Sequence, residues 1–302
     1  MLGAGGGGDI VGALAIARMC EDLGTAWVLG GVAWERMPID PHPGPRPIEQ
    51  IEGGRRLGER AVLAGASTST PGGVRFSEAL MAAHLGLDTV LVDVSAGAPG
   101  VAGALDAVCE SLGCDLVVCA DVGGDMLATG DEPGLASPLC DAVMAAGAAA
   151  ARTRSLLAVI GAGCDGELTP AEVLERVAAA GRAGCWTGTW SPGAGVADEV
   201  EAAASRSYTE ASMQLVRCAR GETGTVPIRD GRRTVQLTPT GALAFFFDPG
   251  ERLAEVAPLA AAVSASPTIE AAREALAARD VGSELEYERT RAAGAGSEPT
   301  RE

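Results

Sequence analysis

The chain has 302 residues, enough to bury a substantial core, and although 47% are apolar only 3% are aromatic, so that core must be built from Ala, Val and Leu. A net charge of −17 and a pI near 4.6 argue against nucleic-acid or anionic-membrane partners, which require basic patches. All 23 basic residues are Arg, which rules out a Walker-type P-loop, a pyridoxal phosphate (PLP) Schiff base and any lysine nucleophile, and two histidines (His42, His84) cannot build a histidine-rich zinc site.

In chain order, a very short N-terminal strand meets the glycine run 3–8 and then an amphipathic helix over 9–23. A buried strand is expected over 26–29, followed by a Pro-dense stretch (Asp40-Pro41-His42-Pro43-Gly44-Pro45) that can be neither helix nor central strand. Helix over 76–84, strand over 89–94, helix over 101–112, strand over 116–120, helix over 138–151, strand over 156–160 and helix over 170–180 complete the regular part. The strands are apolar on both faces, the mark of a sheet covered on both sides, and their alternation with helices gives a doubly wound, mostly parallel α/β fold. Thr169-Pro170-x-Glu172 and Asp248-Pro249-x-Glu251 have the form of capping boxes, and Ser137-Pro138 and Ser266-Pro267 of simpler N-caps.

Beyond residue 185 the pattern loosens into a C-terminal β-hairpin/helix elaboration. Runs 233–237 and 242–247 read as an antiparallel pair around Thr238-Pro239-Thr240-Gly241, with two helices after them ending near Arg279. This gives one α/β domain over 1–280, its 185–280 part less regular, and a polar tail over 281–302 read as disordered. With no charged leader, no run near ~20 apolar residues and eight cysteines lacking any C-x-x-C pair, a cytoplasmic protein with reduced thiols is expected. Whether it forms a homo-oligomer is left open.

The chemistry concentrates where Gly and acid meet at strand ends. Gly3, Gly5 and Gly8 satisfy G-x-G-x-x-G, a loop that offers backbone N–H groups and a helix N-terminus to an anion. Two features weigh against a dinucleotide there: Asp9 sits at the helix start, and Gly30-Gly31 stands where a ribose-binding acid is expected about 20 residues on. Glu35 and Arg36 follow the second strand on the same edge, and Asp93 ends the strand TVLVDV. The long loop 121–141 carries Asp121, Asp125, Asp131, Glu132 and Asp141, with Ser137 at its helix start. Asp121 and Asp125, separated by a Gly-Gly pair, can share a divalent cation or split in pKa into acid and base. Asp165 or Glu167, after Gly161-Ala162-Gly163, could join them.

Taken together, G-A-G-G-G-G-D, W-E-R with D-P-x-P-G-P, D-V-G-G-D and E-P-G-L-x-S-P-L-x-D resemble a family named only as domain of unknown function 1152, over roughly residues 1–250. The resemblance implies a Rossmann-like α/β domain and a shared site containing Gly5, Gly6, Gly7, Gly8, Asp9, Glu35, Arg36, Asp121, Asp125, Glu132, Ser137 and Asp141. The expected function is an enzyme of small-molecule metabolism, a hydrolase, lyase or transferase acting on a small polar substrate. Asp121, Asp125 and Asp9 are the catalytic candidates, and Gly5–Gly7, Glu35, Arg36, Asp93, Glu132, Ser137 and Asp141 the substrate-binding ones. The sequence names no cofactor; a divalent metal such as Mg2+ on Asp121 and Asp125 is the first candidate and NAD(P) the second. The alternatives are an NAD(P)-dependent oxidoreductase and a non-catalytic ligand-binding or regulatory protein.

Overall fold

The structure is a computed structural model that describes residues 1–37 and 39–295. In chain order its elements are β1 (Leu2–Gly3), α1 (Asp9–Asp22), β2 (Gly30–Val32), β3 (Glu52–Arg56), β4 (Ala61–Ser69), α2 (Ser77–Leu85), β5 (Thr89–Val92) and α3 (Gly97–Leu112). They continue as β6 (Leu116–Val122), α4 (Pro138–Ala150), β7 (Arg154–Ile160), α5 (Pro170–Arg182), β8 (Trp186–Trp190), α6 (Ala194–Ser207), α7 (Glu210–Ala219), β9 (Gly224–Ile228) and β10 (Arg233–Leu237). β11 (Ala244–Phe247), α8 (Leu253–Val256), α9 (Pro258–Val263), α10 (Ile269–Ala277) and α11 (Glu284–Ala295) end the described chain.

One sheet runs in the order β3-β4-β5-β2-β1-β6-β7-β11-β8, and only β4 and β11 oppose the other strands. Its central strands β5-β2-β1-β6-β7 are all parallel, in the doubly wound order whose direction of winding reverses between β1 and β6. The mostly parallel α/β expectation is therefore met. Side-chain alternation sorts the two faces. Val118, Ala120 and Val122 of β6 and Ala158 and Ile160 of β7 pack under α1, α6 and α7, while Val117, Cys119, Leu157 and Val159 pack with α3 and α4. Asp121 thus points to the α4 side. Close packing of α1 depends on Gly12, where a Cβ would come within 2.2 Å of Val122 Cγ2.

Several expectations are corrected. The second strand forms at Gly30–Val32 and not over 26–29. Those glycines lie where the neighbours come close, since a Cβ at residue 30 would meet the Val90 carbonyl oxygen at 2.6 Å and one at residue 31 the Glu78 Oε1 at 2.1 Å. As a result Trp34, Glu35 and Arg36 follow closely on the carboxyl end of β2. The hairpin partner of β10 is β9, while β11 enters the main sheet between β7 and β8. Its Ala-Phe-Phe-Phe sequence is apolar on both faces and needs cover on both, whereas β10 alternates and needs it on one. Thr169 and Glu172 form the full capping box, but α8 begins at Leu253, after a turn from Pro249, and α10 is capped by Thr268 and not by Ser266. The tail reading holds for none of 284–295, which is α11; residues 296–302 lie outside the described residues. All eight cysteines are free thiols, and no described helix is long and apolar enough to cross a membrane.

Candidate functional site

The glycine run between β1 and α1 lies at the carboxyl edge of the sheet, beside the reversal between β1 and β6. It passes so close to the chain after β2 that a Cβ at residue 6 would come within 2.3 Å of the Trp34 carbonyl oxygen, and Gly7 takes a positive φ of 74°. Asp9, the first residue of α1, turns back on the loop and accepts from Gly5 N–H at 2.8 Å. Among the described residues nothing accepts from the N–H groups of Gly6, Gly7 or Gly8. These donors lie at the N-terminus of α1, where the helix dipole favours an anion.

β6 delivers Asp121 beneath this loop, 1% exposed, with Met126 N–H donating to its Oδ2 at 3.1 Å. The chain then turns through Gly123 and Gly124 (φ 138° and 127°) into a short 3-10 turn, Asp125–Leu127, that buries Asp125. No side chain fits at residue 123, where a Cβ would lie 2.3 Å from the Asp165 carboxyl carbon. Asp141, in the first turn of α4, is 3% exposed, and no donor reaches its Oδ1. The β7–α5 loop adds Asp165 and Glu167. Six carboxylates thus converge, in two groups whose ligand oxygens lie within 4.8 Å of one another: Asp9, Asp121 and Asp141, and Asp125, Asp165 and Glu167.

The electrostatics follow from burial without matching positive charge. Burial is the largest cause raising Asp121, Asp125 and Asp141 well above the usual carboxylate range, and their mutual repulsion adds to it. Burial likewise pushes Asp9 up to about 6, against the Gly5 N–H and the Arg36 charge, and Asp165 up to about 8, with repulsion from Glu167. Glu167 is the exception. Burial would raise it too, but Arg233 at 2.9 Å, the Ser137 hydroxyl and the N–H groups of Ala136 and Ser137 outweigh burial and hold it low.

A cationic rim lies on the other side of the glycine run. Arg36 stacks over Trp34 at 4.4 Å and pairs with Glu284 at 3.2 Å, leaving its buried Nη1 without a partner. Glu284 belongs to α11 and also accepts from Leu139 and Cys140 N–H at the α4 N-terminus (3.1 and 2.8 Å). One turn on, Glu288 accepts from Trp34 Nε1 and Gly44 N–H (3.1 and 2.8 Å). α11 is therefore fastened to the α4 N-terminus, to Arg36 and to the chain after β2 through Glu284 and Glu288, a role that the reading of 281–302 as a disordered tail missed.

The expected site residues divide. Asp9, Asp121, Asp125, Asp141 and Gly5 meet in the crevice, with Gly6, Gly7 and Arg36 along its rim. Ser137 joins them indirectly, spending its hydroxyl on Glu167 and not on capping α4. Asp93 does not join. Ile48 N–H, Ser95 N–H and Arg60 satisfy its carboxylate, which ties the Pro-dense stretch to β5. Glu132 binds back to Thr129 and Gly130 within its own loop. Glu35 adjoins Gly7 but directs Oε1 to Ser77 N–H beside Glu78; burial and then repulsion from its partner raise Glu78, and burial raises Glu35.

No curated protein and no solved structure matches the chain. One protein-family profile does, described as a protein of unknown function (DUF1152), over residues 1–292, so the likeness extends past residue 250 to include Glu284 and Glu288 of α11. The chain belongs to the DUF1152 family.

Proposed function

We propose that the protein is an enzyme acting on a small polar metabolite in the crevice outside the carboxyl ends of β1 and β6, with carboxylates performing the chemistry. The observation that carries this reading is the convergence of six carboxylates at the sheet's switch point, five of them buried and Asp9 half-buried, with only Glu167 neutralised by an arginine bond. A fold that needed only stability would place such charges in water. Asp121 and Asp125 are hydrogen-bonded partners that repel each other, the arrangement in which one carboxyl keeps its proton as acid while the other stays ionised as base. An anionic group of the substrate fits the Gly6–Gly8 N–H groups and the free Nη1 of Arg36. The reaction class is hydrolysis, elimination or group transfer.

A thermal-shift screen of sugar phosphates, carboxylic acids, nucleotides and amino acids identifies the ligand class, and turnover is then measured on the stabilising compounds. Asp125→Asn is expected to keep the ligand shift while losing on the order of 10²–10⁴-fold in kcat. Wild-type turnover by this variant would refute the assignment.

A second reading, a nicotinamide-dependent oxidoreductase, gains support from Glu35, which follows β2 beside Gly7 and keeps an unpartnered Oε2. This is the region where dinucleotide folds carry a ribose-binding acid. Asp9 at the start of α1 weighs against a pyrophosphate. Stabilisation by NAD(H) that Glu35→Ala abolishes would favour this second reading over the first.

A further inference from the structure

We infer that Asp9, Asp121 and Asp141 form the binding site for one hard divalent cation, Mg2+ or Mn2+. The three side chains come from the first residue of α1, the penultimate residue of β6 and the first turn of α4, so three separate elements are brought to one point. Their ligand oxygens lie within 4.8 Å of one another. Oxygens around an ion at about 2.1 Å are separated by roughly 3–4 Å, so small side-chain adjustments suffice.

The hydrogen bonding shows what is lacking. Asp9 accepts from Gly5 N–H, with Val122 N–H also nearby, and Asp121 accepts from Met126 N–H. Asp141 takes none at Oδ1, although the residue is only 3% exposed. A buried carboxylate oxygen without a donor is expensive, and a cation supplies the missing partner. Arg36 does not supply it. Its charge is felt by Asp9 and Asp141, but its bond goes to Glu284.

The second acidic group makes a useful contrast. Glu167 there accepts from Ala136 N–H, Ser137 N–H, the Ser137 hydroxyl and Arg233, and Asp165 accepts from Glu167 N–H. Glu167 is thus compensated by the protein, whereas Oδ1 of Asp141 in the first group has no donor, which places the cation in the first group. This moves the metal from the Asp121–Asp125 pair expected from sequence to a triad that excludes Asp125, leaving Asp125 free for proton transfer. An all-oxygen donor set selects Mg2+ or Mn2+ over softer ions. An ion there stands beside the glycine-loop N–H groups and can bridge to a substrate oxyanion. In that respect the inference rests on the proposed function.

The test uses the full chain, freed of metal with EDTA and titrated with MnCl2 by electron paramagnetic resonance of free Mn2+, and with MgCl2 by calorimetry. One ion per chain is expected, with protons released on binding and affinity falling as the pH is lowered. Asp141→Asn and Asp9→Asn should each weaken Mn2+ binding by about tenfold or more, and Glu167→Gln by less than about threefold. Asp141→Asn also removes a repelling charge and should melt no lower than the wild type in EDTA, which separates lost binding from lost folding. Absence of Mn2+ binding below about 1 mM, or an affinity that Asp141→Asn leaves unchanged, overturns the inference. Binding without turnover on any substrate sinks the proposed function alone. Undiminished turnover in EDTA, with Asp125→Asn inactive, sinks the cation site alone.

Discussion

Asp165→Asn tests whether the carboxylate cluster is held at the expense of stability. Burial first, then repulsion from Glu167, raise the Asp165 pKa from 3.8 to about 8, against the Glu167 N–H and the charges of Arg233 and Arg229. Between those two pH values the native chain keeps a proton that the unfolded chain has released, so stability is full below about pH 4 and falls as pH rises to about 8. At about 1.4 kcal/mol per unit the upper limit on this loss is about 6 kcal/mol. Relaxation and water entry reduce it, and about 2–4 kcal/mol is expected in practice. Asparagine does not titrate, and its carbonyl keeps the Oδ1 acceptor that Glu167 N–H uses at 3.1 Å. The variant should therefore match the wild type near pH 4 and exceed it by those 2–4 kcal/mol at pH 8.5. Urea unfolding followed by circular dichroism at pH 4, 6 and 8.5 measures the difference, in which the titrations of groups remote from Asp165 cancel. A difference that is the same at pH 4 and pH 8.5 would show that Asp165 titrates as an ordinary solvated carboxyl, and the argument from burial would fail.

Two further perturbations test how the fold positions the site. Gly12→Ala places a methyl 2.2 Å from Val122 Cγ2 and 3.1 Å from Ile160 Cγ2; an overpacking cost of about 1–3 kcal/mol set against about 1 kcal/mol of helix propensity predicts a lower Tm, restored by adding Val122→Ala. If the single variant melts above the wild type, α1 is not packed on β6 as described. Glu284→Ala removes the acceptor shared by Leu139 N–H, Cys140 N–H and Arg36, so a loss of about 1–3 kcal/mol and faster amide exchange in α11 are expected. Unchanged exchange protection in α11 would mean that these bonds do not hold it down.

Much of the sheet is legible in the sequence because its central strands are apolar on both faces, and helices such as α5 announce their starts. What the sequence misstates depends on contacts far along the chain. Gly30 and Gly31 read as the end of a strand, yet crowding from Val90, Leu2 and Glu78 makes them the strand itself. Phe245 and Phe247 read as part of a hairpin, but a strand with three phenylalanines finds full cover only inside the main sheet. α11 is polar enough to pass for a tail, because the donors that bury Glu284 and Glu288 lie between 144 and 254 residues away.

The same reasoning separates the site carboxylates from the others. Asp93 and Asp121 look alike in sequence, each an acid at the carboxyl end of an apolar strand, and both are almost fully buried. Asp93 receives two N–H groups and a guanidinium, so its charge is settled by the protein and it fastens a loop. Asp121 receives one N–H and faces other acids, so its charge is left for something else to neutralise. A strand-end carboxylate becomes a candidate for chemistry when the fold withholds its donors, and the sequence names the acid without naming those donors. Asp121 takes the single N–H of Met126 and Oδ1 of Asp141 takes none, the two points on which the proposed cation site depends.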